Sequence, residues 1–424
     1  MAYTNKPEPE GKDLSRGGKR RWVVPPAVVW DANIIDGVRL LEAHPAPPEL
    51  GLTLFYAFRA VQLWGLGDVP AQELFREAAE GLRAPQWFGQ GVPTELERPL
   101  QAIRDLVEGA ESTEAGLIAA CTEIGKWGYA HGAAVAESSF FLLVARIRPE
   151  DPEAAFLVAR AARRDHRLNA AEEWFRRTIA LARRKDDDAS YVAGYLGWGV
   201  LEQIRGRVEL ARRRFTRAWR KARSVGLKEM MAAARHYLVA LAVGRSFDEG
   251  FRHAVAAYKL YGPGEFRLGL LAIDTGAFLI DNGYFSAAIP LLSSAVVFPG
   301  LSGERKVAMC NLARAVAAVG DRERFLTLWL QVYTGPLEQN EALAAALTEL
   351  ACGAMTLGQP RRAEEALRDA LSVSSDEGSR RRAEALLAQV WSAPPADTDT
   401  PAPPEVLRFV RRFATRLRRM TAPG

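Results

Sequence analysis

The side chains that could carry out acid–base or metal chemistry are few in this sequence. Its 424 residues include five histidines and three cysteines, Cys121, Cys310 and Cys352. The cysteines are too few and too scattered for a disulfide framework or a structural zinc site. His131 and Glu137 lack the spacing of a metalloprotease helix, and no nucleophile elbow, phosphate-binding loop or dinucleotide fingerprint occurs. The sequence therefore predicts a protein that is not an enzyme and has no cofactor and no metal.

Three consecutive acidic residues, Asp186, Asp187 and Asp188, imitate a cation site. Adjacent side chains point in different directions, and these three lack the spaced ligands of a calcium-binding loop. The sequence therefore favours a solvated loop between two helices at this place.

A basic helix is the second candidate site. Arg213, Arg217 and Lys221 recur every four residues and so share one helical face. The packing face carries small or aromatic residues: Ala211, Phe215, Ala218 and Ala222. The basic face is either a patch for nucleic-acid phosphates or an acidic protein, or a solvated face balanced by nearby acids, which is the favoured interpretation. Aromatic residues between the arginines would favour nucleic acid, and Trp219 is the only obvious one.

The C-terminal residues 405–424 form the most suggestive candidate, a basic amphipathic helix. Its apolar stripe consists of Val406, Val410, Phe413, Leu417 and Met420, with Phe409 adjacent. Arginines cover the rest: Arg408, Arg411, Arg412, Arg416, Arg418 and Arg419. Such a helix either docks on the rest of the protein or binds an acidic partner, an anionic membrane surface or nucleic acid. The candidate contact residues are Phe409, Arg412, Phe413 and Arg416.

Charge is distributed unevenly along the chain, whose net charge is +5. Residues 1–22 carry +3, residues 160–223 carry +10 and residues 405–424 carry +5, which leaves about −13 for the rest. A basic block thus lies inside an otherwise acidic body, and both ends are basic. This pattern concerns partners rather than the fold.

Composition and hydropathy limit the class of protein. Hydrophobic residues make up 48% and charged residues 25%, which excludes wholesale disorder. Residues 22–29 are too short an apolar run for a signal peptide and contain two prolines. Residues 282–303 have the length of a membrane span, but their serines, prolines and glycines indicate a buried helix with its loops. The sequence predicts no transmembrane segment and a cytoplasmic location with reduced thiols.

Apolar residues recur as pairs of helices from about residue 150 onward. The run glycine–x4–alanine–x3–aromatic or leucine–x2–alanine occurs three times in register. Its members are Gly206, Ala211, Phe215, Ala218; Gly283, Ala288, Leu292, Ala295; and Gly358, Ala363, Leu367, Ala370. Alanine and glycine let two helices approach closely, and phenylalanine or leucine fills the adjacent gap.

This run resembles the tetratricopeptide repeat (TPR), and the resemblance covers residues 150–392. Gly199 and Gly276 stand where that family places a small residue in the first helix. Successive turn glycines are 37 to 39 residues apart, compared with about 34 in the family, so the loops are longer. These glycines are Gly206, Gly244, Gly283, Gly320 and Gly358. The resemblance implies an all-α fold, a TPR-like α-solenoid in which antiparallel helix pairs form a right-handed superhelix with a concave groove.

Groove residues follow from the resemblance, because the first helix of each pair lines the concave surface in this family. The polar candidates are Arg160, Arg164, Gln203, Arg235, Asn311, Arg314 and Glu349. Arginines there would suit carboxylates of an acidic or C-terminal peptide. The family's paired lysine and asparagine carboxylate clamp is not reproduced, so binding of chaperone tails is not predicted. The alternative is that these residues are solvated or paired within the protein.

Five regions are predicted. Residues 1–22 are a disordered basic segment, and residues 23–149 are helical, as degenerate repeats or a cap, with helices over 51–64, 71–82, 113–129 and 132–147. Residues 150–392 hold about six repeats and a capping helix over 379–391. Residues 393–404 are a proline-rich linker, and residues 405–424 are the tail helix.

Two functional hypotheses remain. The first is a non-enzymatic scaffold or adaptor that binds a protein or peptide, possibly an acidic one, in its concave groove. The second is a regulatory module that acts with transcription or nucleic-acid machinery through residues 160–223 and the basic termini.

Overall fold

The protein is an array of helices. A computed structural model describes residues 35–44, 48–64, 91–107, 113–242, 245–262, 264–301, 304–335, 337, 342–374, 377–392 and 397–421. In these ranges the chain forms nineteen α-helices and no strand. The prediction of an all-α fold is therefore confirmed.

Five helices come before residue 150. They are α1 (Ile35–Ala43), α2 (Pro48–Trp64), α3 (Thr94–Val107), α4 (Glu114–Ala130) and α5 (Ala134–Ile147). Helices α1 and α2 pack together and both contact α5, while α3 packs on α4. The predicted segment 1–22 and the predicted helix 71–82 lie outside the described residues.

The next thirteen helices alternate in direction along the array. They are α6 (Pro152–Arg164), α7 (Leu168–Arg184), α8 (Asp188–Ile204), α9 (Val208–Val225), α10 (Lys228–Ala240), α11 (Phe247–Leu260), α12 (Arg267–Asp281), α13 (Phe285–Val296), α14 (Arg305–Ala318), α15 (Arg322–Val332), α16 (Leu343–Thr356), α17 (Pro360–Val373) and α18 (Glu377–Leu387). Successive helices pack on each other in the pairs α6–α7, α8–α9, α10–α11, α12–α13, α14–α15 and α16–α17, which form six hairpins of the α-solenoid type. Helix α16 packs on α14 rather than on α15, which precedes it in the chain.

The hairpins stack in two layers. The even-numbered helices α6 to α18 contact one another in succession, and we call them the inner layer. The odd-numbered helices α7 to α17, the outer layer, have far fewer mutual contacts. Because the inner helices lie closer together, the array curves with the inner layer on its concave side.

Small residues set the distance between paired helices. A Cβ atom added to Gly199 of α8 would lie 2.4 Å from the Phe215 ring of α9. The same atom at Gly276 of α12 would lie 2.5 Å from the side chain of Leu292 of α13. Neither position can carry a larger side chain without moving a buried neighbour.

The capping helix differs from its prediction. Helix α18 packs on α16 and α17 but ends at Leu387, not at residue 391. Residues 388–392 form turns in which Val390 is buried and Trp391 is exposed. The apolar pattern of 379–391 is therefore shared between a shorter helix and a turn.

The tail helix α19 (Pro404–Thr421) lies across the outer layer, against α13 and α11. Its apolar residues Val406, Phe409, Val410, Phe413, Ala414 and Leu417 are buried. The Phe413 ring lies 4.8 Å from that of Tyr258, measured between centroids. Of the alternatives for this helix, the structure shows docking.

Candidate functional site

The basic helix α9 buries one face and exposes the other. Ala211, Phe215, Ala218 and Ala222 are fully buried. The spacing of these four residues therefore predicted correctly which face of the helix is buried. The exposed face forms a shallow cleft of about 530 Å³. Its lining residues are Glu209, Arg212, Arg213, Thr216, Arg217 and Arg220.

A second cleft lies between α9 and α11, and α10 forms its floor. It has a volume of about 500 Å³ and is lined by Arg212, Arg235, Glu249, Arg252, His253 and Ala256. We call this cleft the arginine groove. Arg212 belongs to both clefts, so the exposed face of α9 continues into the groove.

The acidic residues of the two clefts are already paired. Glu249 accepts a hydrogen bond from Arg212 at 3.1 Å, and Glu209 is bonded to Arg245. The arginines that form no ion pair with a carboxylate among the described residues are Arg213, Arg217, Arg220, Arg235 and Arg252. The two clefts therefore carry positive charge that the described part of the chain does not neutralise.

Two of the predicted basic-face residues have contacts within the protein. Arg217 donates to the hydroxyl of Tyr191 at 3.1 Å, and Lys221 lies 2.5 Å from Asp188. Arg213 is exposed. The three residues do share a face, but Lys221 is partly neutralised and contributes least to the open charge.

Arg235 is half-buried at the floor of the groove. It donates from Nη1 to Nδ1 of His253 at 2.9 Å. Since a guanidinium only donates, His253 Nδ1 accepts and the ring proton is assigned to Nε2, 3.6 Å from Glu249. Burial and then the Arg235 charge lower the pKa of His253, and burial with neighbouring Arg223 and Arg252 lowers the pKa of Arg235. Several positive charges thus lie close together here, and the charge of Glu249 offsets their effect on the pKa of His253 only in part.

Aromatic rings lie beneath several of these arginines. The guanidinium carbon of Arg214 lies 3.5 Å from the centroid of the Trp198 ring. The corresponding distance is 4.1 Å from Arg235 to Trp219 and 4.8 Å from Arg217 to Tyr195. The sequence indicated Trp219 alone, because Tyr195 and Trp198 come from the preceding helix α8. Each of these rings has one face covered by a cation from the protein itself.

The predicted groove residues Arg160 and Arg164 form ion pairs with the buried carboxylate of Glu137. Arg160 Nη2 lies 3.3 Å from Glu137 Oε1, and Arg164 Nε lies 3.4 Å from Oε2. Burial raises the pKa of the fully buried Glu137 carboxyl, while the two arginines act in the opposite direction. Both guanidiniums also lie over the Tyr129 ring. Their charges are thus used within the protein.

Other predicted groove residues meet in an ionic cluster on the inner layer. Arg314 of α14 donates to Asp397 at 2.8 Å and lies 4.0 Å from Glu349 of α16. Glu349 is also bonded to Arg382 of α18. Asn311 is buried one turn before Arg314, and Gln203 is half-buried near the end of α8, outside this cluster. The structure therefore brings Arg314 together with Glu349, and it brings Arg160 and Arg164 together at Glu137.

Asp281, at the end of α12, lies close to the same cluster. Its side chain is accessible to solvent, although many protein atoms lie around it. Burial, followed by the charge of Glu349, raises its pKa to about 6, against the opposing effect of Arg382 and Arg314. A carboxyl in this position holds a proton more readily than an ordinary aspartate.

The sequence did not point to several residues of the candidate sites. Arg252, His253 and Ala256 share one face of α11, and helical spacing alone would have grouped them. Asp397 and Asp399 are the only charged residues of the segment 393–404. Their isolation among prolines, threonines and alanines was the available signal that they have specific partners.

The remaining chemical candidates have structural roles. His236 bonds Asp274 at 2.8 Å and Tyr261 at 3.2 Å. Asp187 caps α8 by accepting from the Ser190 amide at 3.0 Å. The cysteines are buried thiols: Cys121, Cys310 and Cys352. Burial raises the pKa of Cys121 to about 12, which removes its nucleophilic thiolate.

The described ranges contain no candidate metal site and no candidate membrane span. There, no group of three or more His, Cys, Asp or Glu side chains is arranged to hold a metal ion. Likewise, none of the helices described is both long and apolar enough to pass through a bilayer.

Comparison with known proteins finds likenesses among solved structures and none among protein families. No protein-family model matches the chain, and no curated protein is similar to it. Among solved structures, the chain is similar to one in the crystal structure of the APC/C hetero-tetramer Cut9-Hcn1, with 13% identity and a TM-score of 0.46. The match covers 85% of this chain and 63% of that chain, so the protein spans less than two thirds of its length.

Proposed function

We propose that the protein is a non-catalytic helical-repeat scaffold that binds an acidic segment of another protein in the arginine groove and along the adjoining face of α9. The observation that carries this proposal is the set of five arginines in these clefts without a carboxylate partner among the described residues. Carboxylates suit this set because guanidinium groups bind them through charge-assisted, often bidentate, hydrogen bonds.

The concave face is less suited to be the first binding surface. Arg314 and Glu349 are engaged by Asp397 and Arg382. Arg160 and Arg164 neutralise Glu137. A partner would have to replace these contacts, whereas Arg235 and Arg252 of the arginine groove form no ion pair with a described carboxylate that a partner would break.

A protein segment is favoured over nucleic acid by the state of the aromatic rings. Proteins that bind single strands stack bases on open aromatic faces. Here Trp198, Trp219 and Tyr195 each carry an arginine of the protein on one face. The charge would attract phosphates as well, so nucleic acid is an arm of the test rather than a second proposal.

The test measures binding of a fluorescent polyglutamate peptide to the full-length protein by anisotropy. The triple variant R213E/R217E/R220E is expected to weaken binding by about tenfold or more. Each reversed surface charge is expected to cost about 0.5–1 kcal/mol, and about 1.4 kcal/mol corresponds to tenfold. Binding should also weaken as salt is raised, because the attraction is screened.

A matched control carries the same charge change on another exposed surface. The variant R408E/R411E/R412E reverses three exposed arginines of α19 and should leave peptide affinity unchanged. Equal losses in both variants would show that net charge alone drives binding and would refute the assignment to this surface. Tighter binding of single-stranded DNA or RNA than of the peptide at the same salt, lost in R213E/R217E/R220E, would favour the regulatory alternative.

A further inference from the structure

The chain returns across the array after α18. Residues 397–400 run from the inner layer to the turn between α12 and α13, and α19 then lies on the outer layer. We call residues 397–421 the strap. Its extended part has alternating exposure, with residues 397 and 399 half-buried and residues 398 and 400 exposed. This is the two-residue period of an extended chain, which directs both aspartates to the same side.

The first aspartate lies in a carboxylate-binding site. Asp397 Oδ1 accepts from Arg314 Nη2 at 2.8 Å, and Oδ2 accepts from the Thr356 hydroxyl at 2.6 Å. Arg314 is 9% exposed, and its Nη1 is buried and has no hydrogen-bond partner among the described residues. The guanidinium thus binds this carboxylate through one nitrogen and keeps a second donor unused.

The second aspartate lies at the start of α13. Asp399 accepts from the Ser286 amide at 3.0 Å and from the Ser286 hydroxyl. The next amide, that of Thr400, donates to the Gly283 carbonyl at 2.9 Å. A carboxylate is favoured at the first turn of a helix by the free amides there. The strap is therefore held by two carboxylates and one main-chain bond before α19 begins.

We infer that the strip from Arg314 and Thr356 to Ser286 is a binding site for an extended segment with two aspartates separated by one residue, and that residues 397–400 occupy it in cis. The partner is the same kind of ligand supplied by another protein: an unstructured acidic segment with the spacing Asp-x-Asp. The occupied site shows what chemistry fits it, and the unused Arg314 donor gives a competing carboxylate a hydrogen bond that Asp397 does not make.

Residues 397–400 compete with any free peptide for the strap site, and this competition determines the expected affinities. A tethered segment acts at an effective concentration on the order of millimolar, so a free peptide with the same contacts binds the wild-type protein only weakly. Removal of the two strap carboxylates, with α19 still docked, opens the site. The site is distinct from the arginine groove, which lies in the outer layer between α9 and α11.

The experiment uses the full-length chain and a labelled peptide with the sequence of residues 397–404. The variant D397A/D399A is expected to bind the peptide at least tenfold more tightly than the wild type does. The added substitution R314Q should abolish this gain, and a peptide with both aspartates replaced by asparagine should not bind. Hydrogen exchange of α19 shows in each variant that the tail helix remains docked; if the double variant unfolds, D397A is measured instead.

Each outcome is decisive. Equal peptide affinity in wild type and D397A/D399A would overturn occupation in cis, and absence of binding to D397A/D399A would overturn the site itself. Reversal of Arg213, Arg217 and Arg220 in the D397A/D399A background should leave binding of the strap peptide unchanged. This arm separates the strap site from the proposed function, since either can fail while the other stands.

Discussion

Two neighbouring grooves of the outer layer differ in what lies in them. The groove between α11 and α13 is filled by the tail helix, whose Phe409 ring lies 5.4 Å from that of Phe251. The arginine groove, between α9 and α11, is lined by Arg212, Arg235 and Arg252. The comparison shows that one groove between successive outer helices holds a helix, and that the walls of the two grooves differ in their side chains.

Helix α11 provides a wall to both grooves. Phe251 and Tyr258, seven residues apart, face the tail helix. Arg252, His253 and Ala256 face the arginine groove. An arginine-rich helix such as α19 is attracted to aromatic walls and to the carbonyl end of α11, but it would be repelled by the arginines on the other side. The positive charge of the arginine groove is therefore the reason why we propose an acidic segment as its occupant.

The largest expected effect concerns the apolar contact in the filled groove. Phe413→Ala should lower the free energy of opening of the tail helix by about 3–5 kcal/mol, because a fully buried aromatic side chain is lost. Hydrogen exchange of the α19 amides measures this opening. The control Arg412→Ala, at an exposed position of the same helix, should change it by less than about 0.5 kcal/mol. Equal effects would mean that α19 is not held by its apolar stripe.

The next effect concerns the arginine in the filled groove. Arg416 donates to the carbonyls of Tyr258, Tyr261 and Gly262 at 3.0, 2.7 and 2.7 Å. Arg416→Met should therefore cost about 1.5–3 kcal/mol in the same measurement, as expected for hydrogen bonds to a charged group. Arg419→Met, at an exposed position, is the matched control. A loss no greater than that of the control would contradict a positioning role for Arg416.

An arginine of the arginine groove should affect stability little and peptide binding more. Arg235→Met removes a cation that lies near Arg223 and Arg252 and has no ion pair among the described residues. Its loss should change the free energy of unfolding by less than about 1 kcal/mol in either direction, since relief of repulsion offsets the lost bond to His253. Polyglutamate affinity should fall several-fold. Large destabilisation with unchanged affinity would mean that Arg235 is structural.

The smallest effect is a pH dependence from the open groove. Burial and Arg235 lower the pKa of His253, so below a pH of about 6.5 the unfolded chain binds this proton more readily than the folded one. Stability should therefore fall as pH drops below that value, with a slope of at most about 1.4 kcal/mol per pH unit for one proton. His253→Gln should flatten the profile between about pH 5 and 7. An unaltered slope in this variant would mean that other groups cause the pH dependence of stability.

Helical periodicity predicted much of the fold from particular residues. Ala211, Phe215, Ala218 and Ala222 are buried together, as their spacing required, and Gly199 lies against Phe215. The end of α18 was predicted four residues too late, because a turn that buries Val390 continues the same apolar pattern. A local apolar pattern predicts which face of a helix is buried. It does not predict where the helix ends when a following turn can bury the next residues of the same pattern.

The candidate site was predicted less completely. Arg314 and Asp397 are 83 residues apart in the chain, and their pairing depends on the path of the strap across the array. Arg235 was predicted to line the concave groove with Arg314, yet it forms part of a groove in the outer layer. A helix presents side chains in all directions, so the type of a residue does not reveal which layer its charge faces.

By itself the sequence determined that this protein is an array of paired helices with a basic block and an amphipathic tail, because helix formation and amphipathicity depend on neighbours a few residues apart. Only the tertiary structure decided which charges are used within the protein and which remain open. Arg160, Arg164 and Arg314 meet acids brought to them by distant helices or by the strap, while Arg213 and Arg252 meet none among the described residues. The physical reason is that ion pairing requires two groups within a few ångströms of each other, and the stacking of the array sets that distance.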